Sequence, residues 1–181
     1  SIIFSLPYVS SSWFKLVSHF TTIKTSNVFT NKKLLSEALS ELGYRNVSCV
    51  ERPQALKDYY QVRGNKLQSQ ITANVIVPFA SNRHKCKSDF GFAEENGELV
   101  LVADSMDRYR LNELLPKLQE VYNQKTVVAM KENILATAKT LNKGVPIIEE
   151  VISERGAIQL KIAYPADIRR HNQIQQQQIR R

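Results

Sequence analysis

Apolar positions recur along this chain with two periods, and each marks a different kind of element. Ile71, Ala73, Val75, Val77 and Phe79 alternate with polar or smaller residues. That period of two predicts a strand with one face buried over 71–79. Leu34, Leu35, Ala38, Leu39 and Leu42 instead fall on one side of a helix that Thr30 or Asn31 can cap and Gly43 can end. Ser18–Thr25, rich in β-branched and aromatic residues, predicts a first strand, and Val47–Glu51 a short second one. Residues 52–70 are polar and mixed, and predict a loop with one helical turn.

The clearest local signal is Asn96-Gly97, set between Phe90–Glu95 and Glu98–Asp104. Both residues tolerate positive φ, so a two-residue hairpin turn is expected. Leu99, Val100, Leu101 and Val102 are apolar on both faces, which predicts a central strand. From Leu111 a helical stripe runs through Leu114, Leu115, Leu118, Val121 and Tyr122, with Pro116 marking a first turn or a kink. Lys125 falls where the stripe would continue, so two helices or one bent helix are expected up to Gly144 and Pro146. Ile147–Ser153 and Ala157–Ala163 predict a second hairpin around Glu154-Arg155-Gly156. The order yields an α+β fold: one mostly antiparallel sheet with helices packed mainly on one face. A ferredoxin-like arrangement is one way to join its two halves.

The chain has 181 residues, 43% of them hydrophobic and 23% charged, which suits one globular domain. The expected organisation is an N-terminal extension over 1–17, a single α+β domain over 18–166, and a basic Gln-rich tail over 167–181. Cys49 and Cys86 are the two cysteines, too few for a disulfide scaffold. No apolar run approaches the roughly 20 residues of a spanning helix. The extension is apolar and aromatic, with Lys15 its one charge. It admits three readings: an interfacial anchor using Tyr8 and Trp13, a transit-peptide remnant, or sequence translated from upstream of the true start. Peripheral membrane contact is expected only through this segment.

Charge changes the picture further. The formal net charge is +8, and it is segmental. Residues 45–90 hold eight Lys/Arg against three acids, whereas 91–120 hold three against seven. Arg45, Arg52, Lys57, Arg63, Lys66, Arg83, Lys85 and Lys87 can line one basic surface, with Tyr59 and Tyr60 interleaved. Complementary charge of this kind suits docking onto a protein complex. Cations with aromatic rings also suit single-stranded RNA, although the strand signature of the common RNA-binding fold is missing. The tail, RRHNQIQQQQIRR over 169–181, is a solvated end or a hook for RNA or acidic lipid.

Catalytic signals are weak. There is no GxGxxG, P-loop, HExxH or GxSxG. Cys49, Cys86, His19 and His84 are scattered singly, unlike the close pairs of structural zinc. The plain reading is one buried structural Cys and one loop thiol; were Cys86 exposed, Lys85 and Lys87 would depress its pKa and make it a redox-sensitive thiol. Glu94, Glu95, Glu98, Asp104 and Asp107 crowd the central hairpin, where carboxylates are expected to be solvated. No catalytic residue, metal site or cofactor is nominated.

Several segments in register resemble one family. They are Ser18–Thr25, Glu41-Leu42-Gly43-Tyr44, Ser88-Asp89-Phe90-Gly91-Phe92, the Asn96-Gly97 turn, Leu99–Asp104, Leu114-Leu115-Pro116-Lys117-Leu118 and Ser153-Glu154-Arg155-Gly156. Together, over about 18–164, they resemble the proteins of the hypothetical chloroplast open reading frame thirty-five, from algal plastid and cyanobacterial genomes. Val17 stands where that family begins with Met. The resemblance implies the plastid stroma and supplies no catalytic residue. The expected function is a non-catalytic binding, assembly or regulatory factor for a plastid protein complex, with RNA binding through 45–90 as the alternative.

Overall fold

The first helix, α1 (Lys32–Glu41), starts and stops on side-chain and backbone signals that its sequence carries. Asn31 is the N-cap, and its side-chain oxygen accepts from Leu34 N at 3.0 Å. Gly43 takes φ 89° past the end. Its N–H donates to Ser40 O and that of Tyr44 to Leu39 O, the paired bonds of a Schellman stop. A computed structural model describes residues 3–5, 20–23, 28–62, 64, 71–81, 86–152 and 158–165. Its strands are β1 (Ile3–Ser5), β2 (Phe20–Ile23), β3 (Ser48–Ala55), β4 (Thr72–Val77), β5 (Phe90–Glu95), β6 (Glu98–Asp104), β7 (Ile147–Ile152) and β8 (Ile158–Ala163). The other helices are α2 (Tyr59–Val62) and α3 (Arg108–Thr140), the latter preceded by a 3-10 turn over Ser105–Asp107.

The fold is α+β, and every strand pair is antiparallel. Instead of one sheet there are two. The larger has the order β2-β6-β5-β4-β3, and the smaller β1-β8-β7. The strand order is a meander from β3 to β6, with β2 added beside β6. A ferredoxin-like order would interleave strands from both halves and make a parallel central pair. Two longer connections, over 56–71 and 78–89, and the Asn96-Gly97 hairpin instead join sequence neighbours. Asn96 and Gly97 take φ 53° and 82°, as the two-residue turn requires.

Contacts group the chain into two compact units, Val9–Lys125 and Ser1–Tyr8 with Thr126–Arg181. The larger unit holds the main core. Leu35, Ala38 and Leu39 of α1, Val75 and Val77 of β4, Phe90 and Phe92 of β5, Leu99 and Leu101 of β6, and Leu111, Leu114, Leu115 and Leu118 of α3 are buried together. Both helices thus cover one face of the five-stranded sheet. Each Val, Leu or Phe among them stabilises by about 1.5–3 kcal/mol when fully buried. Phe29 packs edge-on against Phe92 at 5.6 Å and Tyr122 at 5.1 Å. The Tyr122 hydroxyl accepts from Thr30 N and Asn31 N, both at 3.0 Å, and so ties α3 to the entry of α1.

One expectation changes at the element level, and one open alternative closes. β3 runs to Ala55, past the expected Glu51. Its pairing with β4 jumps from Cys49↔Val75 to Gln54↔Ala73, so Val50–Pro53 arch out opposite Asn74. Arg52-Pro53 lacks strand propensity, which is why the pattern hides this half of the strand. The helical stretch is a single 33-residue helix, not two, and Pro116 lies inside it. The bond Pro116 cannot make would go to Asn112, and both residues are exposed, so water can satisfy the freed carbonyl. Lys125 interrupts the stripe because its Nζ pairs with Glu41 at 2.7 Å. It is also the last residue of the larger unit.

The smaller unit has four buried hydrophobic residues among those described, Val127, Ala138, Leu160 and Ile162. Lys131 pairs with Glu150 across from α3 to β7. Val128, Leu135, Leu141, Val145 and Ile147 are exposed.

Candidate functional site

The candidate site grows from the way β4 folds over β5. Gly91 is in register with Ile76. Yet a Cβ placed on Gly91 would lie 2.5 Å from the Val75 carbonyl oxygen and 2.7 Å from Ala73 Cβ. The first residues of β4 therefore bend back across Gly91, and only a residue without a side chain lets them do so. The β3 arch turns with them. Asn74, buried in the bend, donates to Val50 O and Glu51 O at 3.4 and 3.2 Å and accepts from Glu94 N at 3.0 Å. Lys32 Nζ reaches Glu51 at 3.0 Å and Glu94 at 3.1 Å, and these two hydrogen bonds raise its pKa. Leu56, Ala73, Ile76 and Val102 close a second small core on this side of the sheet.

The bend brings Lys57 to the segment before β5. Asp89 is the clamp there. Its carboxylate accepts from Lys57 N at 2.9 Å and Phe79 N at 2.8 Å, and its own N–H donates to Lys57 O at 2.9 Å. The loops after β3 and β4 thus share one buried carboxylate. Asp58 and Gln61 form a reciprocal capping box on α2, which fixes Tyr59. Lys87 Nζ lies 5.9 Å from the centroid of the Tyr59 ring.

Asp107 clamps the other side and is 1% exposed. It accepts from Lys87 N at 2.9 Å, from Ser88 N at 3.2 Å and from the Ser88 hydroxyl at 2.8 Å. Arg110 reaches it at 3.3 Å. Asp104, also buried, accepts from Met106 N at 2.9 Å. These carboxylates were expected to be solvated. Glu95 and Glu98 at the turn are exposed, but Asp104 and Asp107 are buried acceptors for backbone amides. Leaving such donors without partners would cost about 1–3 kcal/mol each.

Cys86 does not fit a redox thiol. It is 1% exposed, and burial, reinforced by the charge of Asp107, pushes its pKa up to about 12. The expected help from neighbouring lysines fails because the sulfur faces the core cluster rather than solvent. Cys49, on β3, is the exposed thiol. Among the described residues no three His, Cys, Asp or Glu side chains are grouped to hold a metal ion. His19 and His84 lie outside the described residues. No described helix is long and apolar enough to cross a membrane.

Of the ten residues expected on the basic surface, Lys57, Tyr59 and Lys87 come together around Asp89. Arg45 is exposed elsewhere, beside Ser81, to which its N–H donates at 3.4 Å. Arg52 is exposed on the β3 arch. The Tyr60 side chain and Arg63, Lys66, Arg83 and Lys85 lie outside what is described. Sequence reasoning missed the start of α3. Asp107 joins that start to Lys87-Ser88, so the turn that carries Met106, Tyr109 and Arg110 is tied to the same segment. Met106 is 53% and Tyr109 77% exposed. The signal was available: both residues lie off the helical stripe that Leu111 begins.

Residues 38–161 match the family described as a protein of unknown function, DUF1257. That is well over half of the chain, and the chain belongs to this family. No curated protein and no solved structure matches it.

Proposed function

We propose that this DUF1257 protein is a non-catalytic binding factor that docks onto a larger protein complex, with the surface around Cys86–Asp89 as its contact. The observation that carries this reading is the clamping of three chain segments by Asp89 and Asp107. It presents Lys57, Tyr59 and Lys87 on a preformed backbone, and preorganisation lowers the ordering cost of binding. The buried carboxylates and Cys86 have structural partners, so the charged chemistry left at the surface is recognition rather than proton transfer. The resemblance over 18–164 to the hypothetical chloroplast open reading frame thirty-five family supports the plastid stroma as its setting. Assembly or regulation of a stromal complex is the role this setting favours.

The test is tagged recovery from native plastids, with and without nuclease, at low and moderate salt. A defined set of proteins that survives nuclease is expected. The double variant Lys57→Glu/Lys87→Glu, with unchanged circular dichroism, should lose that set. The cation over the Tyr59 ring favours RNA as the second reading, since bases stack on such rings. In that case recovery should vanish with nuclease, and affinity should fall steeply with salt.

A further inference from the structure

Met106 and Tyr109 present large apolar surface where the backbone is held on both sides. The Met106 amide is bound by buried Asp104 at 2.9 Å, and Asp107, between the two residues, is bound to Lys87 and Ser88. Exposed apolar side chains on soft loops are common and mean little. Here they stand on a fixed turn that Asp107 ties to the Lys87-Ser88 backbone. Lys57 and Lys87 are exposed, Asp89 directs its charge inward to amides, and Asp107 is matched by amides and by the half-buried Arg110 at 3.3 Å. The half-buried Asp58 caps α2, accepting from Gln61 N at 2.8 Å. An apolar centre with a basic rim is the layout of an interface whose energy sits in a few central residues.

We propose that Met106 and Tyr109 form the apolar centre of the docking surface and that Lys57 and Lys87 form its rim. The partner it fits is an acidic protein segment carrying an aromatic side chain. The segment's ring would lie between Met106 and Tyr109, and its carboxylates would face the rim. This rests on the docking reading above and names the partner's chemistry.

The experiment uses the full chain, labelled with nitrogen-15, and three defined probes: a nine-residue Asp/Glu peptide with one central Trp, the same peptide with Ser for Trp, and a ten-nucleotide oligouridine. The Trp peptide is expected to shift the amides of Lys87, Ser88, Met106 and Tyr109. Met106→Ser/Tyr109→Ser should weaken its binding by about tenfold or more, the loss typical of a central pair. Leu141→Ser/Val145→Ser, an exposed apolar pair in the smaller unit, should leave it unchanged. Equal binding of the Ser peptide, shifts confined to other residues, or no shift would overturn the proposal. Tighter oligouridine binding at the same amides would overturn its partner class. If plastid proteins are still recovered with Met106→Ser/Tyr109→Ser, docking stands and this inference fails. If wild type recovers none, the docking reading fails whatever the peptides do.

Discussion

Each of the two thiols has a fate set by its surroundings, and the two should separate in a simple assay. Cys49 is exposed and Cys86 buried, with a pKa near 12 against an ordinary 9.0. At pH 8 one thiol per native chain should react with a disulfide reagent, and a second only after unfolding. Two fast thiols would show that Cys86 is open to solvent. The raised pKa also has a sign. Above pH 9 the unfolded chain ionises Cys86 while the folded chain keeps the proton, so stability is full below 9 and falls as pH climbs toward 12. Cys86→Ala should flatten that slope relative to wild type in urea titrations. Lysine neighbours in the sequence point the other way. Charge along a chain says which groups are near in number, whereas burial decides which form of the thiol survives.

At the scale of elements, Gly91 is the most sensitive position. Gly91→Ala should destabilise by about 1–3 kcal/mol or more, because a backbone carbonyl and Ala73, not a flexible side-chain tip, meet the new methyl. Chemical denaturation measures this directly, and a loss below the lower figure would mean that β4 can lift away cheaply. The elements that repeat a period were legible in advance: α1, β4, β5 and β6, and the Asn96-Gly97 turn. The second half of β3 was not, since Val50–Pro53 drop out of the ladder with β4 and Asn74, a polar residue on that strand, takes the carbonyls of Val50 and Glu51 instead. The candidate site was legible in part. Lys57, Tyr59 and Lys87 could be named from charge and rings, but their meeting depends on the Gly91 bend and on Asp89, which no local pattern encodes. Met106 and Tyr109 enter only through the long-range bonds of Asp107.

Taken whole, the chain distributes its core unevenly. The described core clusters lie in Val9–Lys125, while the described residues of the smaller unit include few buried apolar side chains and expose Val128, Leu135, Leu141, Val145 and Ile147. Local stability follows buried contacts. Amides of β7 and β8 should therefore exchange with deuterium through openings of lower free energy than those of β4, β5 and β6. Equal protection in the two sheets would contradict that ranking. The arch in β3 has one further effect, on how copies of the chain behave toward each other. β3 is an edge strand, and eight continuous residues there would offer a foreign strand a row of free peptide groups. Val50–Pro53 break that row, and Pro53 has no N–H to give. What remains are two-residue runs, Ser48-Cys49 and Gln54-Ala55, too short to template a neighbour. The arch thereby makes this edge a poor template for another copy of the chain in a crowded solution.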